Sequence, residues 1–186
     1  MNICIFAGTF NPIHTAHLQM AEFALKKYKF DKIIFIPSYI PPHKVLAPSL
    51  AEHRLNMVKL AIKYNSKFDV SDIEYKSQEK SYSIKTVKKI KDLYKIEGRV
   101  NFIIGTDAFV KIKSWYKFNE LKDLVHFIVF PRMGSDELID ESYADFDYEI
   151  VDFQYIDVSS TEIRSGTIVE NINNVRDYIK NYGLYL

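Results

Sequence analysis

The sequence predicts an α/β fold in which helices cover both faces of an open, doubly wound, mostly parallel sheet. Three observations lead there. With 186 residues, 47% of them apolar and 26% charged, the chain matches one ordinary globular domain able to bury a continuous core. Short runs of β-branched and aromatic residues read as strands of a parallel sheet. Segments of helical period separate them, in a βαβα order that holds throughout.

The first strand, 2–7, is an apolar run that breaks at Gly8 and Pro12, and a helix over 14–28 follows. The second strand covers 32–37. The helix at 50–64 starts at Ser49, whose spacing from Glu52 matches a capping box. A third strand spans 68–73. The helix at 82–96 carries Ile84, Val87, Ile90 and Tyr94 on one face, and Gly98 is its expected stop. Strands at 100–105, 126–130 and 148–153 complete the sheet, with a helix at 119–125 and short helices at 160–164 and 174–181. Ser159 and Glu162 again have capping-box spacing. The acidic stretch 136–147 reads as a solvated loop. No repeat or linker interrupts the pattern. In such sheets ligands bind beyond the carboxyl ends of the strands, so function is expected in the strand-to-helix loops.

Composition narrows the partners. Lys and Arg total 25 against 24 acidic residues, so a formal charge of +1 gives no broad pull towards nucleic acid or anionic lipid. The single cysteine, Cys4, lies in an apolar run and reads as a small buried hydrophobe. The first apolar run lacks the layout of a signal peptide, and none approaches membrane-spanning length. A cytoplasmic protein without nucleic-acid or membrane partners is expected.

The most informative loop is Gly8-Thr9-Phe10-Asn11-Pro12-Ile13-His14-Thr15-Ala16-His17. It opens a helix, whose start offers backbone N–H groups and positive potential, while Gly8 lets the backbone come close to a ligand. Phosphate suits such a place. His14 and His17 are three apart in the first turn, so both rings face that anion site. Two histidines could instead pack in the core and cap a turn, but the loop around them favours the anion. No cysteine or acidic side chain lies within a turn to complete a zinc site. A G-x-G-x-x-G fingerprint and a Walker lysine are both missing, which argues against hydride and γ-phosphoryl transfer.

These residues resemble the nucleotidyltransferases that carry H-x-G-H after a G-x-F-x-P loop on a Rossmann-like fold. The remaining loops are similar to one subfamily, the bacterial nicotinate-mononucleotide adenylyltransferases. Pro37 with Pro41-Pro42-His43-Lys44 matches its P-x-x-x-P-P-H-K, and Arg54 with Met57 its R-x-x-M. Ser81-Tyr82-Ser83 with Thr86 resembles S-Y-T-x-x-T. Phe102-Ile103-Ile104-Gly105-Thr106-Asp107, followed by Trp115, resembles F-I-I-G-x-D and its tryptophan. Ser159-Ser160-Thr161-Glu162-Ile163-Arg164 matches S-S-T-x-I-R, and Tyr178-Ile179 with Leu184-Tyr185 ends the pattern. Six motifs in one order cover nearly the whole chain.

The resemblance implies one nucleotidyltransferase domain over 1–186 that joins ATP to nicotinate mononucleotide, giving deamido-NAD and pyrophosphate, with magnesium bridging the triphosphate. His14, His17, Lys44 and Arg164 would be its catalytic, cationic donors. Gly8, Thr9, Phe10, Gly105, Asp107, Ser160 and Thr161 would join the two histidines and Arg164 around ATP. Asn11, Lys44, Tyr82, Ser83, Thr86 and Trp115 would hold the acceptor, with Arg132, after the fifth strand, a further candidate for reaching the nucleotide side. Asp107 also suits an N-cap, and the two roles are compatible. No metal-ligating set is expected from the protein. Family members often form homo-oligomers. Ala7 and Ala16 depart from the pattern, putting methyl groups where the subfamily has glycine beside the nucleotide. Sister enzymes that adenylylate nicotinamide mononucleotide or phosphopantetheine share the histidine and serine-arginine motifs but leave Lys44, Tyr82, Thr86 and Trp115 unexplained. A non-catalytic nucleotide-sensing module would rest on Ala7 and Ala16 alone.

Overall fold

The computed structural model describes residues 1–47, 49–132, 139–154, 158–167 and 171–185. Six strands form one sheet: β1 (Ile3–Gly8), β2 (Lys32–Pro37), β3 (Phe68–Val70), β4 (Val100–Gly105), β5 (Val125–Phe130) and β6 (Tyr148–Ile150). Their spatial order is 3-2-1-4-5-6, and every neighbouring pair runs parallel. Order reverses between β1 and β4, which opens a crevice at the carboxyl end of the sheet. Eight α-helices are described: α1 (Thr15–Lys27), α2 (Leu50–Ile62), α3 (Ile73–Ser77), α4 (Ser83–Tyr94), α5 (Thr106–Phe109), α6 (Phe118–Leu124), α7 (Ser160–Arg164) and α8 (Asn173–Asn181). None is long and apolar enough to cross a membrane among the described residues.

Both faces of the sheet are covered, so the four central strands β1, β2, β4 and β5 carry apolar residues at odd and even positions alike, while the edge strands β3 and β6 each hold an acidic residue, Asp69 and Glu149. Cys4, Phe6, Ile33, Phe35, Ile103 and Ile128 bury against one apolar layer, which contains Met20 and Ala24 of α1, Met57 and Val58 of α2 and Val175 of α8. Ile3, Ile5, Ile34, Ile36, Phe102, Phe127 and Val129 enter the other, with Ile84, Val87 and Ile90 of α4 and Leu121 of α6. The period-2 alternation thus splits the sheet's side chains between two cores. Burying each large side chain contributes roughly 1.5–3 kcal/mol. The expected apolar face of α4 and the buried Cys4 are as read from the sequence.

Several local expectations are corrected. Ser49 does not cap α2: it sits at φ −57° and ψ −24°, helical rather than extended, and its hydroxyl makes no cap bond. Leu50 N–H donates to Ala47 O instead, so a turn starts the helix. Gly98 does not stop α4. Lys95 takes the left-handed conformation at φ 54°, and Ile96 N–H closes back onto Lys91 O. The third strand ends at Val70, not at residue 73, because the chain turns at Asp72 into α3, which the sequence reading missed. The last strand likewise stops at Ile150 rather than 153. In the acidic stretch, residues 136–138 lie outside the described residues. Its later part is anchored rather than solvated throughout, since Tyr143 and Phe146 bury in the second core and the Tyr143 hydroxyl donates to Val110 O at 2.7 Å.

Candidate active site

The loops after β1, β2 and β4 and the starts of α4 and α7 enclose one open cleft of about 640 Å³, a size in the range of small-ligand sites. The β1–α1 loop forms its floor. Gly8 lets the Phe10 ring pack close, since a Cβ at position 8 would meet that ring at 3.1 Å. Phe10 itself is buried, and its ring packs edge-on to Phe6 and His17. Gly8 O accepts from Ser38 N–H at 2.9 Å, tying this loop to the end of β2.

Arg54 of α2 braces the same loops. Its side chain is 1% exposed, and its guanidinium donates to Thr9 O (2.8 Å), Ser38 O (2.5 Å) and Tyr39 O (3.0 Å). No carboxylate pairs with it directly in these contacts. The sequence reading gave Arg54 a motif but no role. A signal was present: Arg54 lies on the stripe Ala51, Leu55, Val58, Ile62 that buries α2, where an arginine needs partners.

His14 and His17 face each other with ring centroids 3.7 Å apart. His17 Nδ1 accepts from His14 N–H at 3.2 Å, which leaves the proton of the neutral ring on Nε2. His14 is 1% exposed, and neither of its ring nitrogens has a hydrogen-bond partner in the protein. Burial, reinforced by Arg132, pushes His14 down to about 3. Burial also holds His17 well below the usual histidine range, with His14, Arg132 and Lys44 adding to the effect. The pair therefore consists of neutral donors, not the cations expected from the sequence.

Fixed charge comes from elsewhere. Arg164 donates to Asn11 O at 2.7 Å and to Thr161 Oγ1 at 3.2 Å, and Ser160 Oγ donates to Pro12 O at 2.9 Å. These bonds join α7 to the loop beneath it. The Ser159–Glu162 capping box forms as expected, with Glu162 N–H donating to Ser159 Oγ at 3.2 Å. α7 has only five residues, so it contributes N–H groups and Arg164 more than a long helix dipole. Desolvation lowers the Lys44 ammonium, and Arg164 and Arg132 push the same way against Asp107. Lys44, Lys111, Arg132 and Arg164 all line the cleft, against Glu74 and Asp107. The balance favours an anion.

The family model described as cytidylyltransferase-like matches residues 5–166. The chain belongs to the cytidylyltransferase-like family. Among similar proteins of this family, one of Caldicellulosiruptor saccharolyticus is 37% identical over 198 residues, covering 100% of this chain and 99% of its own. One of Clostridium novyi is 40% identical, covering 92% of this chain and 88% of its own. Each is named a probable nicotinate-nucleotide adenylyltransferase. Among solved structures, a Plasmodium falciparum nicotinic acid mononucleotide adenylyltransferase complexed with NaAD superposes with a TM-score of 0.80 at 27% identity, covering 99% of this chain and 97% of its own.

Within this cytidylyltransferase-like site, most residues singled out from the sequence meet at the cleft, and the exceptions are informative. Gly8, Thr9, Phe10, Asn11, His14, His17, Lys44, Tyr82, Ser83, Gly105, Asp107, Trp115, Arg132, Ser160, Thr161 and Arg164 line it. Thr86 does not. It is buried, and its hydroxyl donates to Glu74 Oε1 at 2.6 Å, because the inward face of α4 meets α3 there. Asp107 is not a cap: Gly105 is the N-cap of α5, and the carboxylate folds back over it. A Cβ on Gly105 would stand 2.6 Å from Asp107 Oδ1. Arg132 NH1 lies 3.3 Å from Asp107 Oδ2, which takes it off the free surface. Ala16 is 1% exposed and is not among the residues that line the cleft, whereas Ala7 lines it. Ser38 and Lys111, each beside a motif, were passed over as ordinary loop residues, whereas Glu74 and Tyr185 reach the site through contacts with Thr86 and Asn11 that the sequence does not display.

Proposed function

We propose that this chain is a nicotinate-nucleotide adenylyltransferase. It transfers the AMP part of ATP to the phosphate of nicotinate mononucleotide, giving nicotinate adenine dinucleotide and pyrophosphate, a step in NAD biosynthesis. One observation carries the reading: the starts of α1, α4 and α7 open onto one cleft, and neither α1 nor α4 has an acidic residue in its first turn. Three anion-attracting helix starts suit a triphosphate, a second phosphate and a carboxylate. The similarity to named nicotinate-nucleotide adenylyltransferases over the whole chain supports it further.

In the proposed reaction an oxygen of the acceptor phosphate attacks the α-phosphorus of ATP in line, forming a new O–P bond as the bond to pyrophosphate breaks. No protein nucleophile is needed. The work lies in assembling anions and meeting charge that builds up in the transition state. His17 Nε2–H and His14 donate to oxygens around the α-phosphorus, Arg164 with Ser160 and Thr161 holds the outgoing phosphates, and Lys44 neutralises the acceptor phosphate. Asp107 accepts from the nucleoside. Trp115 stacks on the pyridine ring, beside Tyr82 and Ser83. The described residues contain no group of three or more His, Cys, Asp or Glu side chains able to hold a metal ion. Magnesium would accompany ATP as its counter-ion, neutralising part of the triphosphate charge, with Arg164, Ser160 and Thr161 beside the phosphates it serves. The reading places the enzyme in the cytoplasm, in keeping with the absence of a membrane-spanning helix among the described residues.

The direct test supplies ATP, magnesium and a panel of phosphate acceptors and measures pyrophosphate. Release with nicotinate mononucleotide is expected, and no release with any acceptor would overturn the enzyme. Arg164→Ala should raise the ATP KM by roughly tenfold or more with a smaller change in kcat, because the non-transferred phosphates are charged in ground and transition states alike. An unchanged ATP dependence would remove Arg164 from the site. Gly105→Ala should also raise the ATP KM, by about tenfold, since its methyl must displace the Asp107 carboxylate. Initial rates across an ATP series decide this, and a variant with normal KM would show that the carboxylate's position is immaterial.

A further inference from the structure

The Leu184-Tyr185 motif has no part in the reaction described above, yet its tyrosine reaches the site. Leu184 buries in the same apolar layer as Phe10 and Ile13, and the Tyr185 ring packs against that layer. Its hydroxyl donates to Asn11 Oδ1 at 2.6 Å across 174 positions of sequence. Asn11 is 5% exposed and lines the cleft, and its carbonyl oxygen is the one that accepts from Arg164. One residue of the floor is thus gripped at its side chain by Tyr185 and at its backbone by Arg164.

We propose that Tyr185 is a positioning residue for adenylyl transfer: it holds the Asn11 carboxamide oxygen and so fixes which end of that amide meets the substrate. A carboxamide has ends of opposite polarity, an accepting oxygen and a donating NH2. With Oδ1 taken by the phenol, the NH2 is the end presented to substrate oxygens. Turned the other way, the amide would set an oxygen against them. The phenol is a lasting donor, because burial pushes it up to about 12 even though Arg54 and Arg164 favour its ionisation. The same grip steadies the carbonyl that anchors Arg164.

The inference rests on the adenylyltransferase reading, and the test separates the two. Tyr185→Phe keeps the packed ring and deletes only the hydroxyl, so the fold survives. Its kcat/KM for ATP with nicotinate mononucleotide should fall roughly tenfold. In an Asn11→Ala background the same change should cost less than about twofold, as a residue acting through Asn11 must. Equal losses in both backgrounds would show a purely structural tyrosine, and a Tyr185→Phe protein of normal efficiency would also overturn the proposal. Calorimetric titration of the four proteins with magnesium and ATP reads the same coupling without turnover. A wild type that binds ATP but releases no pyrophosphate would sink the enzyme reading, and the binding cycle would still decide the coupling of Tyr185 to Asn11.

Discussion

His17→Ala is expected to cut turnover by about 10²-fold or more while leaving the fold intact, since it removes a donor aimed at charge that develops in the transition state. His14→Ala should have a similar or smaller effect. His17 is oriented by the His14 N–H at its Nδ1, so its Nε2–H is committed to one direction without rearrangement. Acceptor binding should barely change. Steady-state rates with thermal melts of both variants check this, and near-normal turnover would remove that histidine's phosphate role. The same pair makes stability depend on pH. Their folded pKa values are depressed, His14 to about 3 and His17 in the same direction, whereas an unfolded chain titrates near 6.5. Below that value the unfolded state binds protons that the folded state refuses. Stability is therefore complete above about pH 6.5 and is lost as pH falls towards 3. Melting midpoints should drop between pH 7 and 5, less so in His17→Ala, and a flat profile would overturn the neutral pair.

The acid, nicotinate mononucleotide, should be preferred to its amide by roughly 10²-fold or more in kcat/KM. The argument begins at α4, which starts at Ser83 behind an extended Tyr82 and has no acidic residue in its first turn. A carboxylate there meets backbone donors and positive potential, whereas an amide turns one NH2 donor against them. Leaving a buried donor unpaired costs about 1–3 kcal/mol, and the lost charge–dipole attraction adds to it. Glu74 lines the same region, and its carboxyl oxygens are already engaged by the Thr86 hydroxyl at 2.6 Å and the Tyr39 N–H at 3.3 Å. Thr86 is engaged by Glu74, so the backbone and Ser83 carry the recognition. Trp115→Ala should weaken both acceptors alike. Catalytic efficiencies of the two mononucleotides under identical ATP and magnesium settle the matter, and equal values would overturn the acid preference without touching adenylyl transfer.

Much of this was legible in the sequence because it is local. Strand runs such as 32–37 and 100–105, the helix period of α4, the His14–His17 spacing and the Ser159–Glu162 cap each depend on residues within a few positions of one another. α3 was missed because Phe68, Val70 and Ile73 read as apolar positions of one strand, whereas the chain turns at Asp72 and Ile73 opens a helix. Lys95 ends α4 in a conformation that glycine usually supplies, so composition gave no warning. The support of the site was illegible for a different reason. Thr86 is turned away by Glu74, twelve positions distant, and Asn11 is held by Tyr185, 174 positions away in sequence. The neutrality of the histidines is equally non-local, since it follows from the burial that the surrounding loops create.

Arg54 gives the cleft a second kind of attraction. Lys44 is only partly desolvated, so solvent ions still screen its charge, over about 8 Å at physiological ionic strength. Arg54 stands behind the wall, its charge held by three carbonyls of the loops that line the site. Part of its field reaches the floor through protein, where mobile ions cannot follow. Brine therefore erodes one share of the pull on an anion and spares the other, and the cleft keeps a grip that added salt does not dissolve.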